Sequence, residues 1–153
     1  GKGNFINSID KKAFKLNTTG MITDAVWEDI DNDSKKDLIV VGDWMAPQVF
    51  KNTGRRLAVF KSNLTSYSGF WNSVNCVDLN NDGKKDFIFG NKGTNTSYKA
   101  SVEKPMKLFT NDFDSNGTIE QITTCSIGGK DMPINLKQEL AKQMPSIKKK
   151  NLS

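Results

Sequence analysis

The chain has 153 residues, of which 36% are hydrophobic and 25% are charged, and its formal net charge is +5. It contains no histidine, which excludes Ser-His-Asp and Cys-His catalytic arrangements and histidine-ligated zinc within this chain. The basic charge does not predict nucleic-acid binding, because the lysines are scattered and no RNP, zinc-finger or helix-turn-helix signature accompanies them.

Three short segments place acidic or amide side chains on alternate positions and end in a carboxylate. They are DIDNDSKKD at 29–37, DLNNDGKKD at 78–86 and DFDSNGTIE at 112–120. A hard cation such as Ca²⁺ takes six to eight oxygen ligands, and such a loop supplies them from the side chains of positions 1, 3, 5 and 9 and the backbone carbonyl of position 7. The pattern therefore predicts up to three Ca²⁺ sites.

The predicted ligands in each loop are four side chains and one backbone carbonyl. They are Asp29, Asp31, Asp33 and Asp37 with the carbonyl of Lys35; Asp78, Asn80, Asp82 and Asp86 with that of Lys84; and Asp112, Asp114, Asn116 and Glu120 with that of Thr118. Gly83 and Gly117 occupy position 6, where the chain turns sharply. Ser34 stands there in the first loop, which predicts local strain.

The residues that follow the loops exclude an EF-hand, which needs a glutamate at position 12 and an outgoing helix. Position 12 is occupied by Val40, Phe89 and Thr123. The outgoing segments 38–41 and 87–89 are β-branched and aromatic runs, so they are predicted to be buried strands that end at Gly42 and Gly90. Each loop is therefore expected to join two strands.

A unit of about 50 residues is repeated in the chain. Residues 20–40 and 69–89 align without a gap at a shift of 49, with eight identities. Farther on, 47–52 and 105–110 are each predicted to form a third strand. In the first repeat, a hairpin turn at 52–54 leads into a fourth strand at 57–60. In the second repeat the third loop occupies that hairpin, before a strand at 119–125.

A unit of this length with four short strands has the period of a β-propeller blade. We expect an all-β chain that forms a partial β-propeller, with about two four-stranded blades, a flanking strand and a short C-terminal helix. The predicted division is the end of a preceding blade at 1–19, blade 1 at 20–68, blade 2 with the inserted loop at 69–127, and a linker with an amphipathic helix at 128–153. Propellers close with four to eight blades, so we expect the chain to be part of a larger protein.

The last segment has helical periodicity. Asn135 is the predicted N-cap, and Pro145 is expected to kink or end the helix. The apolar positions at helical spacing are Leu136, Leu140, Met144 and Ile147. This thin stripe favours packing on the propeller edge or on other blades over a membrane-surface helix.

Two strands around a DxDxDGxxD-type loop, with GFWN before the second loop and FGN after it, resemble the FG-GAP/VCBS repeats of integrin-like β-propellers. Residues 69–121 more narrowly resemble the large VCBS-repeat surface proteins of Bacteroidetes related to cartilage acidic protein. Two positions depart from the family pattern, where Ser34 replaces glycine and Glu120 replaces aspartate. The resemblance implies an extracytoplasmic, calcium-stabilised propeller at the cell surface or outer membrane, or secreted.

Binding or scaffolding is the predicted function, in adhesion, glycan binding or assembly of an outer-membrane complex. The expected partners are other blades of the parent propeller, cell-surface proteins or glycans. The alternative is an accessory or catalytic domain of a polysaccharide-degrading enzyme whose active site lies outside this segment. No catalytic residues are predicted here, since the acids outside the loops form no recognisable pair. These acids are Asp10, Asp24, Glu28, Asp43, Glu103, Asp131 and Glu139.

Trp44, Trp71 and Tyr98 are candidates for a sugar-binding face. Trp71 is expected to pack within its blade, and Trp44 is the better candidate for a ligand contact. A free thiol is favoured for Cys76 and Cys125, with a disulfide as the alternative. No run of residues is apolar and long enough for a transmembrane segment.

Overall fold

The structure is a computed structural model that describes Gly3, residues 20–96 and residues 98–149. It is mostly β, with 45% strand and 10% helix, and its strands pair in antiparallel sheets. The all-β prediction, with a short C-terminal helix, is therefore confirmed. The blade end predicted at 1–19 lies outside the described residues, apart from Gly3.

The described residues form nine strands, a short 3-10 helix and two short α-helices. The strands are β1 Met21–Glu28, β2 Asp37–Met45, β3 Gln48–Asn52, β4 Leu57–Phe60, β5 Gly69–Val77, β6 Asp86–Asn91, β7 Lys107–Asn111, β8 Glu120–Ile127 and β9 Lys130–Pro133. The 3-10 helix is Asn63–Ser66, and the α-helices are α1 Lys137–Gln143 and α2 Ser146–Lys149. None of the described helices is long and apolar enough to span a membrane.

The chain divides into two compact units, residues 1–93 and residues 94–153. In the first unit, β1 to β4 form an antiparallel meander, the four-stranded arrangement of a propeller blade. The end of β2 also pairs with β5, and β5 pairs with β6. In the second unit, β8 lies between β7 and β9 in a three-stranded sheet. The strands assigned to the second blade thus come from both units, and their grouping into one blade stays a prediction.

The two repeats fold with the same strand register. In the first hairpin Trp27 pairs with Leu38, and 49 residues later Cys76 pairs with Phe87. Each hairpin has a register irregularity at the equivalent place, between residues 22 and 24 and between residues 71 and 73. The repeat seen in the sequence is therefore a repeat of backbone geometry, including its irregularity.

The core of the first unit is built on both faces of β2, because successive residues of a strand point to opposite sides. One buried cluster is Leu38, Val40, Met45 and Phe50, and the other is Ile39, Val41, Val49 and Val74. A fully buried side chain of this kind contributes about 1.5 to 3 kcal/mol. This two-sided burial explains why the strand reads as the continuous apolar run LIVV.

The prediction that strands end at Gly42 and Gly90 is wrong. The strand β2 continues to Met45, and β6 continues to Asn91. A Cβ atom on Gly42 would lie 2.1 Å from the carbonyl oxygen of Met21, and one on Gly90 would lie 2.2 Å from Ser73 Oγ. These glycines allow close approach of the neighbouring strand and do not terminate the sheet.

The helix prediction is confirmed at its end and corrected at its start. The helix α1 stops at Gln143, before Pro145. Its N-cap is Leu136 and not Asn135, because the Glu139 carboxylate accepts the N–H of Leu136 at 3.0 Å. Leu136 is 70% exposed, and the buried residues near this helix are Ala141 and Met144.

Candidate metal centre

Each of the three acidic loops contains the same pattern of internal hydrogen bonds, and in each the aspartate of position 1 is the first acceptor. In the first loop the carboxylate of Asp29 accepts the N–H of Asp33 at 3.1 Å and that of Ser34 at 2.7 Å. Asp78 and Asp112 accept from positions 5 and 6 of their own loops in the same way, at 2.9 to 3.2 Å. One side chain therefore closes each turn.

Positions 5 and 9 complete this network. The position 5 side chain accepts the N–H of position 7: Asp33 from Lys35 at 2.9 Å, Asp82 from Lys84 at 2.8 Å and Asn116 from Thr118 at 2.8 Å. The position 9 carboxylate accepts the N–H of position 2: Asp37 from Ile30 at 3.4 Å, Asp86 from Leu79 at 3.0 Å and Glu120 from Phe113 at 2.8 Å. The spacing found in the sequence thus serves to fold the loops as well as to supply oxygens.

Each loop also requires a left-handed backbone at positions 4 and 6. The φ angles at position 4 are 60° at Asn32, 58° at Asn81 and 59° at Ser115; at position 6 they are 66° at Ser34, 81° at Gly83 and 87° at Gly117. Asparagine and glycine tolerate this region, whereas serine pays about 1 kcal/mol or more. The left-handed backbone at Ser34 agrees with the strain predicted there, and Ser115 adopts the same conformation at position 4 of the third loop.

The loops differ in how closely their carboxylates converge. One carboxylate oxygen from each of Asp29, Asp31 and Asp37 lies within 4.8 Å of the others. Asp112, Asp114 and Glu120 form an equivalent cluster in the third loop. The second loop has Asn80 at position 3, and its three aspartates form no such cluster within the described residues. Clusters of this size match the space that a single Ca²⁺ ion takes up between its oxygen ligands.

In the first loop, lysines approach the acidic side chains. Lys35 Nζ lies 2.9 Å from Asp33 Oδ2, and Lys51 Nζ contacts Asp31. These hydrogen bonds lower the pKa of Asp33 and raise the pKa values of Lys35 and Lys51. The position 9 residue Asp37 is only 1% exposed. Its carboxylate also accepts the N–H of Asn52 at 2.7 Å, which ties the loop to β3.

In the third loop, two buried carboxylate oxygens have no hydrogen-bond donor among the described residues. They are Oδ1 of Asp114 and Oε1 of Glu120, and the Glu120 side chain is only 3% exposed. A buried, unpartnered carboxylate oxygen is costly unless a cation or a donor meets it. The residues of this loop therefore fit a bound Ca²⁺ ion, for which hard oxygen donors are the preferred ligands.

The described acids outside the loops each have a local partner. Asp24 accepts the N–H of Val74 at 2.9 Å; Glu28 lies 3.3 Å from Lys85, Asp43 3.3 Å from Lys92 and Asp131 2.8 Å from Lys107; Glu103 accepts from Ser101 at 2.8 Å, and Glu139 caps α1. Asp10 lies outside the described residues. The sequence does not predict two of these structural contacts, because strand pairing creates them. They are the contact of Asp24, at the register irregularity of β1, with Val74 and that of Lys51, on β3, with Asp31.

The aromatic candidates have different roles. The indole Nε1 of Trp71 donates to the carbonyl of Tyr67 at 2.9 Å, and its ring lies 5.8 Å from that of Phe89. Trp71 therefore packs within the first unit, as expected. Trp44 is half-buried, with its ring 4.8 Å from that of Phe70. Tyr98 is exposed and belongs to the second unit.

Cys76 and Cys125 are both free thiols. Cys76 lies on β5 and is half-buried, and burial raises the pKa of its thiol. A protonated thiol in this setting behaves as a small apolar group.

Comparison with known proteins gives one match. No curated protein and no solved structure matches the chain. Residues 29–89 match the family model of the FG-GAP-like repeat. They run from the first residue of loop one to the middle of β6, and so include both loops of the repeated unit. The narrower resemblance to Bacteroidetes surface proteins stays a prediction. The match shows that residues 29–89 are similar to FG-GAP-like repeats.

Proposed function

We propose that the chain is a calcium-stabilised, propeller-type binding module that works outside the cytoplasm, at the cell surface or as a secreted protein. The family match and the four-stranded meander support a propeller-type module. The hydrogen bonds that the three loops have in common hold each turn in a shape that brings oxygen atoms together.

The third loop carries the calcium proposal. It combines three converging carboxylates with two buried oxygens that lack a donor among the described residues. Ten of the 17 acidic residues of the chain stand at predicted ligand positions, which concentrates negative charge in three turns. A divalent cation offsets that repulsion, because its positive charge lies among the carboxylates.

The ion would stabilise the fold and would take no part in a reaction. Asp112, Asp114 and Glu120 would hold it in the third loop, and Asp29, Asp31 and Asp37 in the first, with a weaker site around Asp78 in the second. Each loop connects two paired strands, so an ion bound there would fix the hairpin at its turn.

We propose that the module is not an enzyme and that it serves binding or scaffolding. The described acids outside the loops are engaged in ion pairs, caps and strand contacts, which supports a structural role for them. The proposed partners are other blades of a propeller, proteins at the cell surface or glycans.

Calcium titration of the purified chain tests this proposal. We expect binding by isothermal titration calorimetry and a higher melting temperature in Ca²⁺ than in EDTA, since a ligand at 100 times its Kd stabilises the native state by about 2.7 kcal/mol. The double variant Asp29→Ala with Asp112→Ala should lose most of the calcium response.

Asp131→Ala, which removes an exposed acid outside the loops, is the matched control and should keep the full response. The proposal fails if the wild-type melting temperature is the same in Ca²⁺ and in EDTA. It also fails if the control and the double variant lose equal shares of the calcium-induced rise in melting temperature.

A further inference from the structure

Trp44 stands at an irregular point of the first unit. The pairing of β2 with β5 matches Asp43 with Phe70 and Met45 with Gly69, so the register skips Trp44. Its φ angle is 60°, in the left-handed region. That conformation is an outlier for a bulky side chain, and irregularities of this kind serve to re-aim side chains next to functional sites.

Core packing among the described residues does not account for this conformation. The neighbouring Met45 is buried in one core cluster, whereas Trp44 belongs to neither cluster and remains half-buried. Its recorded contact among the described residues is the edge-to-face arrangement with Phe70, with ring centroids 4.8 Å apart. Such a pair contributes only about as much as the strained backbone costs.

The indole N–H of Trp44 makes no hydrogen bond to any described residue. Trp71 donates its N–H to a backbone carbonyl, but the described residues offer no such acceptor to Trp44. Indole N–H groups normally find a partner when a tryptophan packs permanently into a protein. An amphipathic ring with an unused donor suits an external ligand.

A charge pair lies beside the ring. Lys92 Nζ is 3.3 and 3.4 Å from the two carboxylate oxygens of Asp43, the residue that precedes Trp44. The same ammonium lies 5.4 Å from the centroid of the Phe70 ring. The surface therefore combines two aromatic rings with a donor and an acceptor whose formal charges cancel.

We propose that Trp44, Phe70, Asp43 and Lys92 form a binding site for neutral saccharide, a ligand class that deepens the proposed function as a binding module and rests on it. A pyranose presents apolar C–H groups to an aromatic ring, and its hydroxyls both donate and accept hydrogen bonds. Aromatic side chains with a few placed polar groups meet those requirements. Because Asp43 and Lys92 neutralise each other, the site has no net charge to favour an anionic sugar.

The full chain is tested in calcium-containing buffer by calorimetric titration with cellohexaose, laminarihexaose, mannohexaose and, as the acidic probe, hexagalacturonate. Trp44→Gly is the main variant, since glycine adopts the left-handed backbone without strain and the variant is expected to fold. Trp27→Ala removes an exposed tryptophan of the same unit and is the control.

We expect at least one neutral hexasaccharide to bind the wild type, with affinity lowered about tenfold or more by Trp44→Gly. Trp27→Ala should stay within about twofold of the wild type. The melting temperature of Trp44→Gly should be unchanged or higher. Asp43→Asn keeps the ring in place and should weaken binding several-fold, which provides a second variant if Trp44→Gly does not fold.

The inference is overturned if none of the neutral probes binds, if hexagalacturonate alone binds, or if neither Trp44→Gly nor Asp43→Asn weakens binding. A lower melting temperature with unchanged affinity in Trp44→Gly would assign Trp44 to packing and would also overturn it. If calcium still raises the melting temperature of the same samples while saccharide does not bind, this inference fails and the proposed module stands.

Discussion

The first and third loops have the same hydrogen-bond network but opposite surroundings. In the first loop Lys35 and Lys51 approach the aspartates, and Asp37 receives the N–H of Asn52. In the third loop the buried oxygens of Asp114 and Glu120 have no donor within the described part of the chain. The local sequence sets the shape of such a loop, whereas its neighbours decide how many of its carboxylate oxygens remain for the proposed cation.

Among substitutions that test this comparison, the largest change in stability is expected at Asp37. The substitution Asp37→Ala removes a buried acceptor and leaves the N–H groups of Asn52 and Ile30 unpaired, so it should lower the free energy of unfolding of the first unit by about 2 to 4 kcal/mol. Urea titration followed by tryptophan fluorescence measures it, because all three tryptophans lie in the first unit. Asp37→Asn, which keeps an acceptor oxygen, should recover much of the loss. Equal stability of Asp37→Ala and the wild type would remove the proposed difference between the loops.

The substitution Glu120→Gln is expected to change the stability of the second unit in opposite directions in EDTA and in Ca²⁺. In EDTA, Glu120→Gln removes a buried charge that lies near two other carboxylates, so it should stabilise the second unit by about 1 kcal/mol. In saturating Ca²⁺ the same substitution removes a proposed ligand and should destabilise that unit by a similar amount. Amide hydrogen exchange in β8 measures both values. The same sign under both conditions would show that the third loop does not need a cation.

The smallest effect is expected at position 6. Ser34→Gly relieves a left-handed serine and should stabilise the first unit by about 0.5 to 1 kcal/mol. Gly117→Ala makes the reverse change in the third loop, where an added Cβ would meet no atom within 4 Å, so the effect is confined to the backbone. Urea titration serves for Ser34→Gly and hydrogen exchange in β8 for Gly117→Ala. If Ser34→Gly is neutral while Gly117→Ala is destabilising, the first loop has relaxed its strain by other means.

The sequence predicts the hairpins and turns well because the bonds that form them are local. The spacing of Asp29, Asp33 and Asp37 is visible as a pattern, and the repeat at a shift of 49 carries the strand register with it. The contact of Lys51 with Asp31 depends on the pairing of β2 with β3, so it was not predicted. The prediction of a strand end at Gly42 is wrong because the need for glycine there comes from the close approach of Met21 on the neighbouring strand.

The bonds of the position 1 aspartates also bear on the order of folding. Each joins residues no more than five positions apart, and loops that short form in well under a microsecond at little cost in entropy. Pairing of Met45 with Gly69, in contrast, must bring together distant parts of the chain. Each acidic turn is therefore placed to act as a local nucleus for its own hairpin. In the first unit, the hairpins β1–β2 and β5–β6 can begin to form at their turns before β2 pairs with β5.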